Sequence, residues 1–309
     1  MTVATIKLVG AGGEPVDLWR TIMSHGVASL PPMLVDEEAR TLTATVPVGR
    51  GRPRTTLVSQ GRSHRARVEI LGPAPSDRVK DATLGAVRHV LALDRDMSGF
   101  YEVATSDSDL AWAAAGAGRM VRSATVFEDV VKTICTTNCA WSATERMVGA
   151  LVEHLGTRAP GAPKTGTAGR AFPTPAAMAE VGEQWYRDVA RAGYRGAYLI
   201  ALARDVAEGR VDLEELEQAS SDEISDDRVE ERLLALPGVG PYAAAHVMML
   251  LGRHSRLILD SWTRPKFARL VGRKKVSDAT IVRRFKRYGP HAGLAFWLYL
   301  TKDWVADTG

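Results

Sequence analysis

Between two apolar helical stretches the chain carries Leu236-Pro237-Gly238-Val239-Gly240-Pro241, a run through which no regular helix or strand can continue. Val229, Leu233 and Leu236 recur at helical spacing before it, and Val247, Leu250 and Leu251 after it, as far as Gly252. The segment 228–252 is therefore expected to fold as helix, tight glycine hairpin, helix, with Pro241 at the first position of the second helix. The opening turn of that helix would present N–H groups without carbonyl partners at its positive end, an arrangement that suits a phosphate. Taken alone, the segment also admits a second reading, a turn that merely packs two helices together.

The remainder divides by periodicity. Thr41–Val46 and Ala66–Leu71 alternate with period two among punctuators such as Pro31-Pro32, Gly51, Pro53, Gly61 and Gly72-Pro73, which predicts an antiparallel sheet with one wet face. Further on, Val126, Val130, Val131 and Ile134 share a helical face, as do Met147, Leu151 and Leu155. The stretch 157–171, rich in Pro, Gly, Ala and Thr, predicts a flexible surface loop. Thr174-Pro175 predicts an N-cap and first turn, and Ser225-Asp226 a cap for the helix entering the hairpin. The expected class is α+β: a β-rich N-terminal domain over 1–110 and a mostly helical domain over 111–309.

The totals narrow the range of functions. Net charge is only +4 over 309 residues, yet Arg273, Lys274, Lys275, Arg283, Arg284, Lys286 and Arg287 crowd the C-terminal third, as either a phosphate-binding or a solvated face. The two cysteines, Cys135 and Cys139, are expected on one helical face, a poor geometry for a disulfide and too few thiols for a zinc or iron–sulfur site; buried thiols in a reducing compartment are the simpler reading. No basic segment followed by an apolar run opens the sequence, and no apolar run approaches a bilayer's thickness. A soluble, cytoplasmic protein is expected, nucleoid-associated if bacterial. His246 and His254 show no metal-ligand grouping, and no metal site is expected.

At this point a family comes into view. Leu236–Gly240, the apolar helix after it, and the Leu259-Asp260 step with Arg264 resemble the signature of the helix-hairpin-helix DNA glycosylase superfamily. Phe127–Asn138 and Gly193–Leu199 resemble segments of its 3-methyladenine and 8-oxoguanine branches, and the β-rich beginning fits them too. The resemblance spans roughly residues 15 to 300, and is tight only in the second half.

It implies a DNA N-glycosylase of base excision repair, a monomer acting on double-stranded DNA that contains a damaged base. Asp260 takes the catalytic place. A carboxylate there stabilises the positive charge that develops on the deoxyribose as the base leaves, or orients the attacking water. From the residues alone Asp260 is also a helix N-cap, and one carboxylate can serve both ends. Bifunctional relatives carry a lysine two positions past the hairpin; here stands Tyr242, which cannot form an imine, so an enzyme without lyase activity is expected. The resemblance assigns DNA contacts to Pro237, Gly238, Val239, Gly240, Tyr242 and Arg264, with Asn138, Tyr194 and Arg195 filling the gap behind the extruded nucleotide. No cofactor is implied beyond a monovalent cation at the hairpin.

For the base pocket the expected residues are Phe296, Trp262 and Trp297. Phe296 stands where a base-reading glutamine belongs in the 8-oxoguanine branch, and the N-terminal glycine-glutamine-phenylalanine signature is absent, with Ser24–Ser29 in that region. Aromatic walls suit a cationic alkylated purine, which shifts the expectation toward such bases. An oxidised-purine glycosylase and a non-catalytic DNA-binding protein are the alternatives.

Overall fold

A computed structural model describes residues 1–49 and 51–305; the last four positions of the expected helical domain, 306–309, lie outside the described residues. The first 70 residues build a five-stranded antiparallel sheet from β1 (Thr2–Lys7), β2 (Met33–Asp36), β3 (Thr41–Val46), β4 (Arg54–Gln60) and β5 (Arg65–Ile70), in the order β1-β5-β4-β3-β2. The period-two pattern sets the register: Leu42 pairs with Val58, and Val58 with Val68, so these apolar side chains fall on one buried face. Val87 and Val90 of the helix Asp77–Val90 cover that face.

Beyond the sheet the chain is helical, and its apolar side chains gather into two further clusters. One is central, drawn from Val126–Thr136, Trp141–Leu155, Arg195–Ala207 and the two hairpin helices. The other joins Met97–Met120 to the C-terminal helices, so residues 97–110, adjacent in sequence to the sheet, pack instead against Phe267, Ile281 and Leu294. Between the two runs Asp226–Leu234, the hairpin, and Pro241–Leu250, whose residues from Ala243 onward are all buried. The segment after Ile22 leaves the sheet and threads between them: Val27 and Leu30 enter the central cluster, while the Ser24 carbonyl accepts from Trp297 Nε1 at 2.8 Å.

The caps read from sequence are present. Ser225 accepts from the Arg228 amide at 3.3 Å and Thr174 from the Ala177 amide at 3.2 Å. The loop 157–171 carries hydrogen bonds of its own. Arg170 ties it down through the carbonyls of Gly156, Lys164 and Gly166, and Glu153 accepts from the Gly166 amide. One guanidinium supplies enough donors to organise a segment that its composition alone leaves loose. Among the described residues, no helix is long and apolar enough to cross a membrane.

Candidate active site

The hairpin closes because Gly238 adopts φ +78°, and a Cβ there would press on the Tyr198 side chain as well as strain the backbone. Pro241 then starts the second helix with Gly240 as its N-cap. The amides of Gly238, Gly240, Tyr242 and Ala243 donate to no carbonyl among the described residues, which leaves a cluster of N–H groups at a positive helix end. The carbonyls of Pro237, Gly238 and Val239 accept no backbone bond either, so the oxygen donors that a monovalent cation needs are present at the same turn.

Facing the hairpin, the helix Val126–Thr136 ends in a turn whose pivot, Asn138, sits at φ +46° with its side chain exposed. Asparagine tolerates that left-handed backbone better than most residues. Arg195 holds the turn. Its guanidinium donates to the carbonyls of Thr137 and Asn138, and its charge lies 4.6 Å from the Tyr194 ring. Arg195 is itself buried, and through these bonds it positions Asn138 and Tyr194. Tyr194 is 54% exposed and its ring meets Tyr198, the residue packed on Gly238.

Hairpin and turn border a cleft of about 690 Å3, lined by Thr136–Cys139, Gly240–Ala243, Leu259–Ser261 and Arg264. Asp260 lies on its wall, half-buried. Oδ1 accepts from the amides of Trp262 at 2.8 Å and Thr263 at 2.6 Å, while Thr263 Oγ1 accepts from the Asp260 amide at 2.9 Å. The carboxylate thus caps the turn leading into the helix Thr263–Leu270, whose N-cap position is Trp262, and both bonds fall on one oxygen. Oδ2 takes no part in the cap. A side chain fixed at one oxygen, with the other unused, is preorganised for a charge developing in the cleft.

Tyr242 stands across the cleft, its hydroxyl 3.3 Å from Thr136 Oγ1. Burial, together with the nearby Asp260 charge, pushes its phenol above the usual range, so it stays a neutral phenol at physiological pH. Arg264 lines the cleft but is engaged bidentately by Asp278 at 2.8 and 2.9 Å. Beyond it Arg273, Lys274, Lys275, Arg283 and Lys286 are exposed and enter no ion pair among the described residues.

The aromatic residues separate. Trp262, 38% exposed, packs against Trp297 and Trp304 at 5.7 and 5.5 Å between ring centres, two residues from Asp260. Phe296 is fully buried between Phe267 and Phe285, so it belongs to the C-terminal core and cannot line a base pocket. The helix Ala292–Thr301 is apolar on nearly every side, and one residue's rotation of about 100° places Trp297, and not Phe296, against Trp262. Cys139 also departs from expectation: its helix ends at Thr136, so Cys139 sits in the turn, with Sγ donating to the Cys135 carbonyl at 3.2 Å, and both thiols are free.

No protein-family model and no curated protein matches the sequence. Among solved structures the likeness covers nearly the whole chain, and the fold it establishes is that of DNA glycosylases of the helix-hairpin-helix type. A 3-methyladenine DNA glycosylase from Archaeoglobus fulgidus superposes with a TM-score of 0.72 at 20% identity, over 98% of this chain and 100% of that one. The apo form of the Clostridium acetobutylicum 8-oxoguanine glycosylase/lyase gives 0.71 at 16% identity, over 97% and 96%. The same Clostridium enzyme, bound to DNA with cytosine opposite 8-oxoguanine, gives 0.69 at 16% identity, over 93% and 92%.

Proposed function

We propose that this chain is a monofunctional DNA glycosylase that flips a damaged purine from duplex DNA and hydrolyses its N-glycosidic bond with Asp260. The observation that carries this reading is the placement of Asp260: one oxygen locked by two amides, the other unused, on the wall of a cleft between a phosphate-ready hairpin and an asparagine turn. The free amides of Gly238, Gly240, Tyr242 and Ala243 hold a phosphate beside the extruded nucleotide, and the carbonyls of Pro237–Val239 would hold a monovalent cation, which supplies extra positive charge there. Asn138 and Tyr194 enter the space the nucleotide leaves. The exposed cations from Arg273 onward extend the phosphate-binding surface, and Arg264 joins it only by leaving Asp278.

The bond to the base breaks with its electron pair going to the base. Asp260 steadies the resulting charge on the sugar, and water then bonds to C1′, its proton passing to Asp260 Oδ2 and from there to solvent. Tyr242 supports a reaction through water, because a phenol cannot form the Schiff base that strand cleavage requires. An alkylated purine is the favoured substrate, and the aromatic support for it rests on Trp262 and Trp297, whose indole faces suit a cationic base. Likeness to 8-oxoguanine enzymes keeps an oxidised purine as the second reading.

Replacing Asp260 by Asn tests the core of the proposal. Base release is expected to fall at least about a hundredfold, with affinity for a duplex carrying an abasic-site analogue within about twofold of wild type. Undiminished release would remove Asp260 from the chemistry.

A further inference from the structure

At the end of the hairpin helix away from Asp260 lies a second cavity, of about 380 Å3, a size usual for small-molecule sites. The helix Pro241–Leu250 borders the Asp260 cleft with its first turn and this cavity with Met249 and Leu250 of its last, and the two spaces share no lining residue. The rim is open to solvent, for Asp96, Ser221, Gly252 and Pro290 on it are exposed. The floor is buried and apolar, with Met97, Phe100, Met120 and Met249. Thioethers adapt their shape to an occupant and make favourable contacts with aromatic rings.

Most charged groups on the lining are engaged by the protein. Arg119 pairs with Glu14 and Arg253 with Asp226, while Asp96 accepts from the amide and hydroxyl of Ser98. His254 is different. It lines the cavity with 9% of its surface exposed, and neither ring nitrogen has a partner among the described residues. Burial, with the charges of His291 and Arg95 nearby, lowers its pKa to about 3, so the ring is neutral at physiological pH and offers one donor and one acceptor.

Arg95 is the least compensated cation of the lining. Its carboxylate partner is Glu217, which it shares with Arg122, itself also held by Asp94. Arg95 Nε has no partner, and 28% of the side chain is exposed. The guanidinium lies over Gly252, so close that a Cβ there would stand 3.5–3.8 Å from it, two residues from His254. An apolar floor with a few converging polar groups above it is the usual make-up of a ligand site.

We propose that this cavity binds a small aromatic anion, with its ring on the methionines and Phe100 and its carboxylate or phosphate on Arg95 and His254. The guanidinium supplies a charged donor, and the neutral imidazole a second donor that adds no charge to be buried. The site is independent of the glycosylase reading, because none of its residues borders the Asp260 cleft.

The full chain, labelled with 13C at its methionine methyl groups and assigned through single Met→Leu substitutions, is titrated with benzoate and with phenyl phosphate. Inorganic phosphate, an anion without a ring, and benzyl alcohol, a ring without a charge, are the controls. One of the aromatic anions is expected to saturate with a Kd below about 1 mM, and both controls to bind at least about tenfold more weakly. The signals of Met97, Met120 and Met249 shift, and those of Met147 and Met178 in the central cluster do not. The tighter of the two anions distinguishes a carboxylate ligand from a phosphate. His254→Phe removes both unpartnered nitrogens, so its thermal midpoint is expected to hold or rise while affinity falls at least about tenfold. The proposal is overturned by the absence of saturable shifts at the three methionines, by a control that binds as tightly as the aromatic anions, or by wild-type affinity in His254→Phe. The wild-type titration locates the ligand by itself, so a His254→Phe chain that fails to fold leaves the decision with the methionine signals.

Discussion

On the proposed mechanism Asp260 has two jobs, a cap at Oδ1 and charge stabilisation at Oδ2, and the two can be taken apart. Asparagine preserves an acceptor for the Trp262 and Thr263 amides, so Asp260→Asn should melt within a few degrees of wild type while losing base release. Asp260→Ala loses both functions, and calorimetry should show a further destabilisation of about 1 kcal/mol, the usual worth of a cap. Equal midpoints for the two variants would mean that the cap contributes nothing. At Tyr242 the expectation is chemical: borohydride should trap no covalent adduct between the wild-type chain and a substrate duplex, and an adduct would show that some other amine reaches C1′. Arg195 is the residue whose role sequence could not disclose. A guanidinium beside a tyrosine advertises DNA contact, but its partners are carbonyls 57 and 58 residues earlier, and only the fold brings them within reach.

At the scale of elements, the hairpin and the Asn138 turn border one cleft, and their shapes rest on backbone geometry. Gly238→Ala meets both a positive φ and the Tyr198 ring, and should cost about 1–3 kcal/mol in denaturant unfolding and weaken duplex binding. Full retention of both would mean that the turn tolerates a Cβ. These elements were legible in the sequence because their causes are local: glycine and proline at fixed offsets, Ser225 and Thr174 as caps, period-two alternation in β3 and β5. Legibility stopped where an element had no polar face to orient it. In Ala292–Thr301 nearly every position is buried, so Phe296 and Trp297 look alike on paper, and only packing against Phe267 and Phe285 decides between them. The cavity that joins Arg95, Met120 and His254 was hidden for a related reason: the three come from distant segments, and none carries a spacing signal.

For the molecule as a whole, burial of histidines links stability to pH. His25, His246 and His254 have pKa values lowered by burial to about 4, 3 and 3. Below about 6.5 the unfolded chain therefore takes up protons that the folded chain refuses, and stability falls as pH drops from there toward 4. Asp129 acts in the opposite direction. Burial raises it to about 7, so between roughly pH 4 and 7 the folded chain holds a proton that the unfolded chain has lost, which adds stability on acidification. His291 is lowered by burial as well and Glu214 is raised by it, so four histidines oppose two carboxyls, and the melting temperature is expected to fall between pH 6.5 and 4.5; a rise would show that the histidines are not held neutral. What sequence and fold together define is a cleft with a fixed carboxylate, a phosphate-ready hairpin and no amine in the lysine's place. The most direct test is to incubate the wild-type chain with duplexes each carrying one damaged base and to read strand breaks with and without hot alkali. Breaks on an alkylated-purine duplex that appear only after alkali are the predicted result. Breaks without alkali would contradict the monofunctional chemistry, and an absence of abasic sites on every duplex would contradict glycosylase activity itself.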